Sequence, residues 1–191
     1  MRKQAITLGR IGILLPIASL IPFIGTLAGL AVMVLLLFSH YYFSRVYEQP
    51  GIFKNALIGT IITVATNVLG VILLVVAVGS AAFSLSGGST EGFEIQKVQE
   101  ILFESGLTIF AGIIMLAGLI VGYYFIYQSL ISLANESGVK HFKTAGLLYF
   151  IGSILILLLF LGFLVIFVAW ILHIVAYFSI QPEEKITQEE A

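Results

Sequence analysis

Cysteine and aspartate are both absent from the 191 residues, and charged side chains make up only 10% of them. Without cysteine there is no disulfide, no thiolate nucleophile, no Cys-based zinc site and no lipidated cysteine. Without aspartate all ten acidic residues are glutamate, so chemistry built on paired aspartates is excluded. The formal charge of −1 offers no field to steer a nucleic acid or another charged partner. Soluble domains carry about 25% charged residues, more than twice the share found here. Proline is scarce at four residues, whereas the 19 glycines slightly exceed the average, as suits helices that pack closely in lipid.

What fills the chain is apolar. Hydrophobic residues account for 60% of it and the mean hydropathy is +1.11. Six spans of ~20 residues would need roughly 120 apolar positions, close to the number available. A soluble globular domain and a disordered chain are excluded. The N-terminal Met-Arg-Lys followed by apolar residues resembles the start of a signal peptide. Arg10 interrupts the run, however, and no small-residue cleavage site leads into a polar chain. A retained first span is expected.

Four windows lack Lys, Arg, Asp and Glu: 11–44, 55–90, 105–135 and 144–182, with 34, 36, 31 and 39 residues. Each exceeds one span of ~20 residues. Pro16, Pro22 and Gly25 offer a turn inside the first, and Gly162 a weaker one inside the last. The second becomes polar after Phe83 and reads as one helix plus a loop. Cations choose between the arrangements. With one helix per window, Arg2, Lys3, Arg10, Lys97 and Lys185 oppose Arg45, Lys54, Lys140 and Lys143, which is no bias. With hairpins in the first and last windows, eight of the nine cations share one side and only Lys97 faces the other. That is a strong positive-inside signal.

The expectation is therefore an all-α, polytopic membrane helix bundle of six transmembrane helices, both termini cytoplasmic. It is a single integral membrane domain over 1–191, with spans near 5–21, 24–45, 54–80, 104–133, 143–160 and 163–181. Re-entrant first and last hairpins would leave the same charges on the same sides, so charge counting leaves both versions open. Segment 84–103 is an outer loop in which Ile95, Val98, Ile101 and Leu102 have helical spacing. It reads as an interfacial helix, serving either as an anchor or as a lid. Residues 182–191 form a solvated cytoplasmic tail rich in Glu.

Two inner loops look alike. Tyr41-Tyr42-Phe43, Glu48, Gly51 and Phe53-Lys54-x-Ala56 are matched in order by Tyr123-Tyr124-Phe125, Glu136, Gly138 and Phe142-Lys143-x-Ala145. Such a pattern arises from a transport-type repeat or from plain interfacial anchoring. Leu8-Gly9-x-Ile11-Gly12, Ile52-Phe53-Lys54-Asn55-Ala56, Phe142-Lys143-x-Ala145-Gly146 with Ile151-Gly152, and Tyr177-Phe178-Ser179-Ile180 together resemble domain of unknown function 996. That is a family of small, mostly archaeal integral membrane proteins. The resemblance implies a multi-pass protein of a prokaryotic cell membrane, with no assigned activity and no site residues to carry over.

Motifs for catalysis or phosphate binding are absent, so no enzymatic activity and no cofactor is expected. Polar residues at mid-membrane depth are the candidate site: Thr60, Thr63 and Asn67 on one face of the third span, and His173 in the sixth. They could line a cavity for a solute or ion, which is the carrier or channel alternative, or bond neighbouring helices. Arg10, Arg45, Lys54, Lys140 and Lys143 are candidate contacts for anionic lipid headgroups, beyond their role as topology anchors. Gly25-x-x-x-Gly29 and Gly118-x-x-x-Gly122 suit close helix pairs, inside the chain or in a homo-oligomer. The leading expectation is a structural or accessory protein acting through membrane lipids or a membrane-protein partner.

Overall fold

Pro16, Pro50 and Gly138 stand at helix boundaries along a largely apolar sequence. The computed structural model of the chain describes residues 1–20, 25–86, 106–158 and 160–181. Among them are six α-helices: α1 (Arg2–Leu14), α2 (Gly25–Val46), α3 (Pro50–Ser86), α4 (Gly106–Ser137), α5 (His141–Leu155) and α6 (Phe160–Ser179). Helices α1 and α5 are continued by 3₁₀ turns over Leu15–Leu20 and Ile156–Leu158. The described residues are all-helical, with no strand.

Among the described residues, four segments are long and apolar enough to cross a membrane unaided: Ala28–Val46, Pro50–Ser80, Gly106–Ser137 and Leu161–Ser179. Helices α1 and α5, with 13 and 15 residues, are shorter than the spans expected over 5–21 and 143–160. Pro16 accounts for the first difference, because it removes the amide that would continue the α-helical ladder. Pro50 opens α3, where its missing N–H costs nothing. Helix α3 runs to Ser86, so 84–86 are helical where a loop was expected. The proposed interfacial helix within 84–103 otherwise falls outside the described residues, as do the tail 182–191 and the turn at Pro22.

The chain forms two compact units, Met1–Thr60 with Tyr123–Ala191, and Ile61–Gly122. In the first, α1 pairs with α2 and α5 with α6. Close approach is made by glycine. A side chain on Gly12 would press on Leu35 and Leu36, one on Gly146 on Tyr127 and Leu130, and one on Gly152 on Ile166. Gly162 lies against the Ile156 backbone at the α5–α6 turn, where any larger residue would collide with main chain.

Two inner turns share a geometry. Helix α2 ends with Glu48 in the left-handed region (φ 52°), and the Gln49 amide donates to the Ser44 carbonyl at 3.0 Å. Helix α4 ends with Gly138 at φ 74°, its amide donating to the Ala134 carbonyl at 3.0 Å. Both are left-handed helix stops. After them Ile52 N–H donates to Gln49 and Phe142 N–H to Val139. Counting from the left-handed residue aligns Ile52 with Phe142, Phe43 with Leu133 and Ser39 with Ser129, all fully buried. The α2–α3 and α4–α5 turns thus align through their left-handed residues, in a register one residue away from the Phe-Lys match in the sequence. Ser39 Oγ donates to Ala5 O and Ser129 Oγ to Ile52 O, each tying the end of one helix to the start of another.

In the second unit, α3 and α4 approach through Gly70, against Met115, and Gly118, against the Thr66 side chain. Gly118 of the second small-residue motif therefore packs within the chain. Gly29 of the first has open space where a side chain would be.

Candidate functional site

Two buried polar side chains of the first unit, Ser39 and His173, meet at Tyr177. Its ring is fully buried and stacks on His173 at 5.1 Å between centroids. Phe142 meets Tyr177 edge-on at 5.2 Å and His173 at 5.8 Å, and Tyr149 meets His173 edge-on at 5.8 Å. Aromatic edges against faces are the favoured quadrupole arrangement. Ser39 Oγ lies 2.8 Å from Ala5 O and 3.3 Å from the Tyr177 hydroxyl. The carbonyl can only accept, so Ser39 donates to it and receives the Tyr177 proton. Nδ1 of His40 is 2.7 Å from Leu36 O and must donate, which leaves Nε2 as an acceptor in the neutral ring. Nε2 of His40 and Nε2 of His173 are both buried without a hydrogen-bond partner. Among the described residues no three His, Cys, Asp or Glu side chains group as a metal site.

Arg10 closes this cluster at its charged end. Nε donates to Tyr177 O at 3.2 Å, while one terminal nitrogen reaches Phe178 O at 3.4 Å and Ile180 O at 3.2 Å. The guanidinium also lies 4.9 Å from the Phe178 ring centre. A cation on the last carbonyls of a helix opposes the negative end of its dipole. On the same helix pair, Trp170 Nε1 donates to Ile13 O at 2.9 Å, supplying a partner where α1 gives way to its 3₁₀ turn.

A second feature lies at the α2–α3 turn. A cleft of about 650 Å³ is lined by Tyr41, Ser44, Arg45, Glu48, Phe53 and Lys54. Below it an apolar groove of about 410 Å³ runs between Val34, Leu37, Phe38 and Leu57. Tyr41 and Phe53 line both, and meet edge-on at 5.3 Å. Arg45 lies over the Tyr41 ring at 5.4 Å.

The expected mid-membrane residues divide between the two units: Thr60 and His173 in the first, Thr63 and Asn67 in the second. Thr60 Oγ donates to Ala56 O at 2.8 Å, and Asn67 Nδ2 donates to Thr63 O at 2.7 Å, both within α3. Thr63 Oγ is buried without a partner. The five cations also separate. Arg10 holds helix carbonyls, Arg45 and Lys54 share one cleft, and Lys140 and Lys143 are exposed at the α4–α5 turn. Sequence reasoning passed over Ser39 and Tyr177 as functional groups. Their one visible signal is a hydroxyl beside a histidine, Ser39-His40, within an apolar run.

The chain is 33% identical over 188 residues to an uncharacterised protein of Methanocaldococcus jannaschii, covering 96% of this chain and 95% of that one. No solved structure matches it. Residues 26–171 match the family described as protein of unknown function (DUF996). With that span and a relative aligned over nearly its whole length, this chain, all-helical with four long apolar helices among its described residues, belongs to the DUF996 family.

Proposed function

We propose that the chain is a multi-pass protein of the cell membrane whose six helices all enter the bilayer, with both termini in the cytoplasm. It acts as a structural or accessory protein through lipid or protein contacts and has no enzymatic activity. The observation that carries this reading is the gathering of charge at one end of the first unit. Ser39 to Ala5, Ser129 to Ile52 and Phe142 to Tyr177 join the helix ends there in pairs, α2 to α1, α4 to α3 and α5 to α6. Arg2, Lys3, Arg10, Arg45, Lys54, Lys140 and Lys143 belong to those ends. Cations collected on one side mark the cytoplasmic face.

Helix lengths are compatible. Helix α1 with its 3₁₀ turn reaches about 31 Å, and α5 with its own about 28 Å, near the ~30 Å hydrocarbon thickness. Because the chain contains no cysteine, single cysteines report topology without background. Cysteines replacing Lys54 and Lys140 should react with an impermeant maleimide only after the inner face is opened. Reaction from outside intact cells would refute the arrangement.

A carrier for a small solute or ion is the second reading, favoured by the unpartnered, buried Nε2 of His173. The accessory reading is preferred because Thr60 and Asn67 return their donors to their own helix. Loss of solute uptake into liposomes on His173→Phe, with folding intact, would favour the carrier.

A further inference from the structure

The α2–α3 cleft and the groove beneath it have the form of an amphiphile. The groove is lined by aliphatic and aromatic side chains alone, with Val34 45% and Phe38 52% exposed toward the surface. The cleft above it carries Arg45 and Lys54 against the single carboxylate of Glu48, a net positive charge. Tyr41 and Phe53 form the rim where polar and apolar parts meet. The carbonyl end of α2 and the amide end of α3 meet at this turn, so their dipoles oppose and charge recognition falls to the side chains. In the α4–α5 turn, the positions of Arg45 and Lys54 are occupied by Asn135 and Thr144. The left-handed residue recurs there, but this cation pair does not.

From this juxtaposition we propose that the α2–α3 turn binds one anionic phospholipid. Its phosphate lies between Arg45 and Lys54, its glycerol region at the Tyr41–Phe53 rim, and one hydrocarbon chain along Val34, Leu37, Phe38 and Leu57. The arginine fork pairs with phosphate oxygens, and the lysine adds a point charge. The occupant is a lipid and not free phosphate because the cleft opens directly into an apolar groove that a soluble anion leaves bare. The inference rests on the membrane reading above and specifies the lipid contact that it invokes.

The test is native mass spectrometry of the full chain in mild detergent, supplied with equal amounts of phosphatidylglycerol and phosphatidylcholine. One phosphatidylglycerol per chain should be retained in preference. Arg45→Gln with Lys54→Gln should lower that retention about thirtyfold, each of the two cations near a membrane surface being worth ~1 kcal/mol. Arg45→Lys with Lys54→Arg should restore most of it. Lys3→Gln, an exposed cation outside the cleft, should leave it unchanged. Val34→Trp, which fills the groove without touching the cations, should also weaken retention, and glycerol phosphate at millimolar concentration should not displace the lipid.

Equal retention of the two lipids, or no effect of the Arg45 and Lys54 pair, would overturn the site. Displacement by glycerol phosphate together with an inert Val34→Trp would assign it to a soluble phosphate instead. Helicity by circular dichroism checks each variant, and exposed Lys54→Gln alone serves if the double variant fails to fold. Recovery of the chain in the soluble fraction without detergent would defeat the membrane reading itself, a separate result from a membrane-bound chain that retains no anionic lipid.

Discussion

The ring of Tyr177 fills the space that a side chain on Gly9 would occupy. A methyl group on Gly9 would overlap the ring, and the ring has no room to retreat, being fully buried against Phe43, Phe142 and His173. Gly9→Ala is expected to destabilise the protein by about 1–3 kcal/mol, the usual penalty for overpacking. Thermal unfolding in detergent measures it. An unchanged melting temperature would mean that α1 does not pack on Tyr177.

Arg10 makes a sharper comparison, because its geometry separates charge from shape. Three carbonyls receive its guanidinium, from Tyr177, Phe178 and Ile180. Lysine supplies the same charge but cannot reach the three at once. Arg10→Gln and Arg10→Lys should both weaken the end of α6, by about 1–2 kcal/mol for a half-buried group. Faster amide exchange confined to the last turn of α6 should accompany the loss. Full rescue by lysine would return Arg10 to the simpler role of topology anchor.

The unpartnered Nε2 of His173 gives a prediction with opposite signs for two substitutions. His173→Phe keeps a ring for stacking and removes a buried polar atom that has no partner, so stability should stay within ~1 kcal/mol of the natural chain or rise. His173→Ala removes the ring from between Tyr149, Phe142 and Tyr177 and should cost about 3 kcal/mol or more. Equal damage from both would show that the imidazole nitrogens matter for folding, which the packing account does not allow.

In the second unit, Gly118 meets the Thr66 side chain, whose hydroxyl is 2.7 Å from Ile62 O. Gly118→Val should force α3 and α4 apart and lower the melting temperature, whereas Gly112→Val, with open space at its Cβ, should not. Comparable losses at both positions would rule out a close glycine contact as the reason for the motif.

The helix order was legible because it rests on local signals: windows free of charge, the Pro16, Pro22 and Gly25 break in the first of them, and cations between the windows. The inner repeat was legible in part. Letter matching aligned Phe53 with Phe142, whereas the left-handed residues Glu48 and Gly138 align Ile52 with Phe142. Backbone conformation sets the register, and a glutamate at φ 52° has no sequence signature of its own. Asn67 was readable as a polar residue within a long apolar helix, but its donor goes to Thr63 one turn earlier, a choice that spacing does not decide. The Arg10 contacts join residues 167 to 170 positions apart, and the cage around Tyr177 draws on four helices. Such meetings are products of packing, invisible to any window along the chain.

The α5–α6 turn carries the last prediction. No charged or hydrogen-bonding side chain other than the Trp170 indole lies between Ile154 and Leu172, and Leu158, Leu161 and Phe163 are 59%, 53% and 61% exposed. A turn that emerged into water would present these surfaces to it at about 25 cal/mol per Å². A turn that stops within the hydrocarbon presents them to lipid at no such cost, and helical and 3₁₀ backbone satisfies most of its own hydrogen bonds there. The tip of this hairpin should therefore lie inside the outer boundary of the bilayer. A cysteine at Leu161 should resist a charged, impermeant maleimide from either face and react with an apolar, membrane-soluble one. A cysteine at Lys97 should react with the impermeant reagent from outside. Rapid labelling of position 161 from outside would mean that the hairpin crosses completely and exposes its tip to water.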